Sequence, residues 1–141
     1  MNGIIIHSHE FTPYWIERLR EAKDRGVAPD VLGLHPVGGQ SATDSLNRLL
    51  EQVKTEEFHR LSEEVAKMGI RIEYEMPTLS WLLPRTLFTE HPTWFRQNEA
   101  GERTPDANLC CSCEEALSYL EERTAYLATL LPQTGDRYFY W

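Results

Sequence analysis

Apolar positions along the chain change period several times, and each change marks an element. Residues 3–8 read Gly-Ile-Ile-Ile-His-Ser, a short β-branched run of the kind buried on both faces of a parallel sheet. They predict a first strand. Thr12 and Pro13 then supply a cap residue and a first-turn proline, and Trp15, Ile16, Leu19 and Ala22 follow at helical spacing up to Gly26. Residues 31–37 (Val-Leu-Gly-Leu-His-Pro-Val) predict a second strand, Gly38-Gly39 a loop, and residues 44–53 a short helix. A helix over 55–67 aligns Phe58, Leu61 and Val65 on one face, Gly69 ends it, and residues 70–75 alternate as a third strand.

The pattern then loosens. Residues 76–109 hold four prolines (Pro77, Pro84, Pro92, Pro105) together with Trp81, Phe88, Trp94 and Phe95. So long an irregular stretch inside a domain is either functional or disordered, and its aromatics argue for order. Ser112 and Glu115 read as a capping box opening a helix with buried positions at Ala116, Leu120, Ala125, Leu127 and Leu131. Residues 137–141 (Arg-Tyr-Phe-Tyr-Trp) complete the pattern as a fourth strand. Strands alternating with helices predict an α/β fold with parallel strands and right-handed crossovers.

Composition narrows the partners. At 141 residues and 41% hydrophobic, the chain has the size and apolar content of one ordinary domain with a core. A net charge of -8 argues against nonspecific binding to nucleic acid, which needs cations to neutralise phosphates. The N-terminus has no cationic start, and no apolar run approaches the ~20 residues of a membrane span. A soluble chain without a signal peptide and without a membrane partner is expected, in the cytoplasm.

Candidate chemistry collects at the predicted strand ends. His7 and His9 share strand parity, so both can face one cleft and bind a ligand; the alternative is a divalent metal held by the pair, with Glu75 as a further ligand. His35 closes the second strand before Pro36 and two glycines, which allow either close ligand approach or tight backbone geometry. Glu75 closes the third strand and can accept a sugar hydroxyl or serve in acid–base chemistry. A glycosidase needs two carboxylates roughly 5 to 9 Å apart, and no convincing second one stands out. Trp94 and Phe95 offer either a platform for sugar rings or packing for the loop. Cys110, Cys111 and Cys113 lack a second ligand pair for zinc; they read as small buried or capping residues, or as a reactive thiol at a helix start. No other cofactor is indicated.

The stretches His91-Pro92-x-Trp94-Phe95, Gly101-Glu102-Arg103-Thr104-Pro105-Asp106-x-Asn108-Leu109-Cys110 and Arg137-Tyr138-Phe139-Tyr140-Trp141 resemble α-glucuronidase-like bacterial proteins, (β/α)8 barrels grouped with glycoside hydrolases. The likeness covers the last third of the chain well; the opening strand and the turn His35-Pro36-Val37-Gly38-Gly39 fit it more loosely. It implies the first half of a TIM-type barrel, four strands, as a single partial domain with an aromatic loop at 76–111. It also implies a carbohydrate site at the carboxyl ends of the strands, lined by His7, His9, His35, Glu75, Trp94, Arg103, Asn108 and Trp141. The catalytic carboxylates of related hydrolases come from the fourth and later strands. The chain alone is therefore expected to bind a glycan without turning it over. Its open sheet edges would be covered by the missing half barrel or by a second copy in a homodimer. A binding or assembly module without chemistry is the remaining alternative.

Overall fold

A computed structural model of the chain describes residues 1–105, 108–132, 134 and 139–140. The chain divides into two compact units, residues 1–76 with 130–141, and residues 77–129.

The first unit is a parallel sheet with helices. Strands β1 (Gly3–His7), β2 (Val31–His35) and β3 (Arg71–Glu75) lie side by side in sequence order, all parallel. Helix α1 (Pro13–Asp24) connects the first two strands, and α2 (Ala42–Gln52) with α3 (Glu56–Lys67) connects the second and third. The short segment β4 (Phe139–Tyr140) pairs parallel with the end of β3, Tyr74 opposite Phe139. Ahead of it, the Thr134 hydroxyl accepts from the Ile72 N–H at 2.6 Å and so occupies a ladder position of the β3 edge. Arg137, Tyr138 and Trp141, expected in the fourth strand, lie outside the described residues.

Local chemistry explains these boundaries. The second strand stops at His35, short of Val37, because Pro36 has no N–H for the ladder. Ser41 caps α2 by accepting from the Asp44 N–H at 3.1 Å, and Thr55 caps α3 by accepting from Phe58 at 3.2 Å. Gly26 and Gly69 follow α1 and α3 with φ of 71° and 77°, where a side chain is disfavoured.

Alternate strand residues have different fates. Ile6, Leu32, Leu34, Ile72 and Tyr74 are buried in a core with Ile16, Leu19, Leu46, Leu49, Phe58, Leu61 and Val65 from the helices. The Phe11 and Phe58 rings meet at 4.9 Å, and the Tyr74 hydroxyl donates to the Pro132 carbonyl at 3.1 Å. On the other parity, Gly3, Ile5 and His7 of β1 are exposed, Val31, Gly33 and Glu73 are buried, and His35 and Glu75 are half-buried. The third strand therefore departs from simple alternation: Ile72, Glu73 and Tyr74 are buried in succession.

The second unit carries regular elements within the stretch expected to be mostly irregular. A short helix α4 (Thr78–Trp81) and 3-10 turns at Arg85–Thr89 and Pro92–Trp94 lead into an antiparallel pairing of Phe95 with Leu109 and Gln97 with Arg103. Helix α5 (Glu114–Leu130) follows. Leu83, Phe95, Leu109 and Ala116 form a small core, with Phe88, Trp94 and Tyr119 packed against it. Two expectations about α5 are corrected. Cys113, not Ser112, holds the cap position, since the Leu117 N–H donates to the Cys113 carbonyl at 3.0 Å, and the Glu115 carboxylate accepts from the Trp94 indole N–H at 3.2 Å. Ala125 is exposed, because the burying stripe of α5 passes through Ala116 and Leu127 instead.

Candidate functional site

The carboxyl ends of three strands converge on one pocket of about 330 Å³, lined by Ile5, Ile6, His7, Glu10, His35 and Glu75. Its lower wall is dictated by register. β1 and β2 pair so that His7 stands opposite His35, and β3 brings Glu75 alongside. His35 Nδ1 lies 3.3 Å from Glu75 Oε2, with side chains 26% and 21% exposed. Partial shelter makes this contact stronger than a surface pair, where water screens the attraction. The His7 and His35 rings are 6.2 Å apart and tilted by 49°.

The fourth wall comes from the turn after β1. The chain leaves the sheet at His7 and enters a 3-10 turn at Ser8–Glu10, so His9 does not continue the strand. Two bonds bend it there: the His7 N–H donates to the Glu10 carboxylate at 2.9 Å, and Gln52 of α2 donates to the Ser8 carbonyl at 2.9 Å. The same Glu10 oxygen is 3.7 Å from His7 Nδ1. His9 is exposed, and its ring stacks on His7 at 5.6 Å. Glu10 is the lining residue that reading by strand parity missed; its signal was its position three residues after His7, where a carboxylate can reach back to the N–H that starts a turn.

The glycines after β2 serve the backbone. A Cβ on Gly39 would lie 2.3 Å from the Ser45 nitrogen, and the Gly39 N–H donates to the Ser45 hydroxyl at 3.1 Å. The bareness of Gly39 is what lets the loop close onto the first turn of α2.

The pocket alternates acceptors and imidazoles. Glu10 and Glu75 accept only, whereas each imidazole donates through one nitrogen and accepts through the other when neutral. Such an array matches a ligand with several hydroxyls. Among the described residues no group of three or more His, Cys, Asp or Glu side chains is arranged to hold a metal ion. His7 and His9 stack ring on ring instead of converging, so the metal alternative gains no support from their geometry.

The remaining expected site residues belong to the second unit. Trp94 is half-buried, stacked on His91 at 4.1 Å and tilted against Tyr119 at 5.2 Å. Arg103 donates to the Phe95 carbonyl at 2.6 Å. Asn108, exposed, accepts the Arg96 N–H at its backbone carbonyl at 3.1 Å. Trp141 lies outside the described residues. Among those described, no helix is long and apolar enough to cross a membrane.

No family model matches the chain, and no curated protein matches it. Solved structures do. The fold is similar to that of a GH36 α-galactosidase from Geobacillus stearothermophilus, with a TM-score of 0.58 and 16% identity over 92% of this chain and 20% of the other. It is also similar to a β-galactosidase from the psychrophilic Marinomonas ef1 (TM-score 0.56, 16% identity, 91% of this chain, 19% of that one). An α-amylase from Lactobacillus plantarum gives a TM-score of 0.52 at 14% identity, over 92% of this chain and 36% of the amylase. The chain therefore shares its α/β fold with part of each of these proteins and spans between about a fifth and a little over a third of their length.

Proposed function

We propose that the chain supplies one wall of a carbohydrate site in a glycoside-hydrolase-like barrel, about half of a (β/α)8 barrel, and that its strand-end pocket takes a single sugar ring. The observation that carries this reading is the grouping of His7, His35 and Glu75 at the carboxyl ends of adjacent parallel strands, the place where such sheets bind ligands. Glu75, positioned by His35, accepts hydroxyl protons; the imidazoles of His7 and His35 supply the complementary donors. The solved structures of similar fold are by name two galactosidases and an α-amylase, names that favour a neutral sugar in this reading.

Charge weighs against a uronic acid as the sugar. Two carboxylates line the pocket, in a chain of net charge -8, against imidazoles that carry charge only when protonated. A carboxylate on the sugar would be repelled, so a neutral ring fits better. Hydrolysis belongs, in this proposal, to a fuller barrel whose acid and base come from other strands. The edge of β1, with exposed Ile5, is where further strands or a second copy would pair. Trp94 and Arg103 make their contacts within their own unit and are not assigned to the sugar.

A monosaccharide of about twelve heavy atoms at roughly -0.3 kcal/mol each would bind with about -4 kcal/mol, a dissociation constant on the order of 1 mM. Isothermal titration with methyl galactoside, maltose and glucuronate tests the proposal. Binding of a neutral sugar, weakened at least about tenfold (about 1.4 kcal/mol) by Glu75→Gln, is expected. Binding of glucuronate alone, or of none of the three, would refute it.

A further inference from the structure

The three cysteines take no part in the strand-end pocket, yet their arrangement is chemically specific. Cys110, Cys111, Ser112 and Cys113 form a Cys-x-x-Cys sequence running directly into the 17-residue helix α5. The Cys113 N–H donates to the Cys110 carbonyl at 3.0 Å, closing one tight turn. The Cys113 carbonyl then accepts the Leu117 N–H at 3.0 Å, so Cys113 occupies the cap position of the helix. A four-residue turn closed in this way holds its end Cα atoms within about 7 Å, a span that overlaps the roughly 4.4–6.8 Å of a disulfide. Cys110 and Cys111, as chain neighbours, have Cα atoms about 3.8 Å apart, below that window.

We infer that Cys110 and Cys113 form a dithiol–disulfide couple, with Cys110 the attacking thiol and Cys113 the resolving one. The Arg103 guanidinium hydrogen-bonds the Cys110 thiol and holds it below the usual cysteine range, helped by N–H groups of Ser112 and Cys113; partial burial opposes them. Arg103 is itself fixed, by its bond to the Phe95 carbonyl. Cys113 packs beside the Leu83–Phe95–Leu109 core and is half-buried, whereas Cys111 is exposed. The reaction needs a disulfide oxidant. The Cys110 thiolate attacks one sulfur of it, forming a mixed disulfide and expelling one thiolate. Cys113, giving up its proton to solvent, then attacks Cys110 sulfur and expels the second. Two electrons pass from the protein to the oxidant, which leaves as two thiols.

Incubation of the fully reduced chain with oxidised glutathione, followed by blocking of residual thiols, proteolysis and mass spectrometry, tests the assignment. The expected product has lost two hydrogens, carries a Cys110–Cys113 link, and leaves Cys111 blocked as a free thiol. Cys113→Ser should instead stop at a glutathione adduct on Cys110, and Cys111→Ser should behave as the parent. In the unmodified chain near neutral pH, a limiting alkylating reagent should label Cys110 at least several-fold faster than Cys111. Glutathione retained on Cys111, a link that includes Cys111, or equal labelling of Cys110 and Cys111 would overturn the inference. The labelling comparison uses the native sequence, so it stands even where a variant folds poorly.

Discussion

The two parities of β1, β2 and β3 divide fifteen strand residues between different tasks. One parity places Ile6, Leu32, Leu34, Ile72 and Tyr74 in the core, each no more than 4% exposed. The other ends in His7, His35 and Glu75, which share a pocket instead of a core. A side-chain period of two makes this division possible: each strand can spend every second position on burial and still deliver polar groups to its carboxyl end. The difference lies in tolerance. Core residues are held by packing, where lost volume is felt at once, and rim residues by a few polar contacts that water can partly replace.

Substitutions should separate these roles. Phe58→Ala, which empties the helix side against Phe11, should cost about 3–5 kcal/mol in denaturant unfolding and leave whatever folds with an unchanged pocket. Gly39→Ala should cost about 1–3 kcal/mol, because the new Cβ collides with backbone of α2 that cannot move freely. Ser41→Ala should cost about 1 kcal/mol by removing the cap of α2. Glu75→Gln should change stability by less than about 1 kcal/mol, since its partner His35 stays within reach of water, while reducing sugar binding. A Glu75→Gln loss as large as that of Phe58→Ala would mean that the rim is structural and the division between parities is false.

Much of the first unit was legible in the sequence. The β-branched run at residues 3–8, the first-turn Pro13 and the closing glycines Gly26 and Gly69 located strands and helices to within a residue or two because each is a local signal. The strand-end grouping was legible as well, since parity and topology together carry His7, His35 and Glu75 to one rim. His9 was misplaced because the turn that removes it from the strand depends on Glu10 and on Gln52, forty-four positions from Ser8, which no local pattern reveals. Ser112 misled by one position: the first turn of α5 closes on the Cys113 carbonyl, and Glu115 meets Trp94, twenty-one residues away. The antiparallel pairing of Phe95 with Leu109 escaped because neither stretch is long or regular enough to show a period.

In the proposed function, His7, His35 and Glu75 act together on a neutral sugar. This joint action is tested most directly by following the imidazole resonances of His7, His35 and His59 by nuclear magnetic resonance during titration with methyl galactoside and with maltose. His59, on the exposed side of α3, is the internal control. The His7 and His35 signals should move and saturate together with one of the two sugars while His59 stays still, and Glu75→Gln should raise the sugar concentration needed at least about tenfold. Signals of His7 and His35 that stay still with both sugars, or that move equally well in Glu75→Gln, would contradict it.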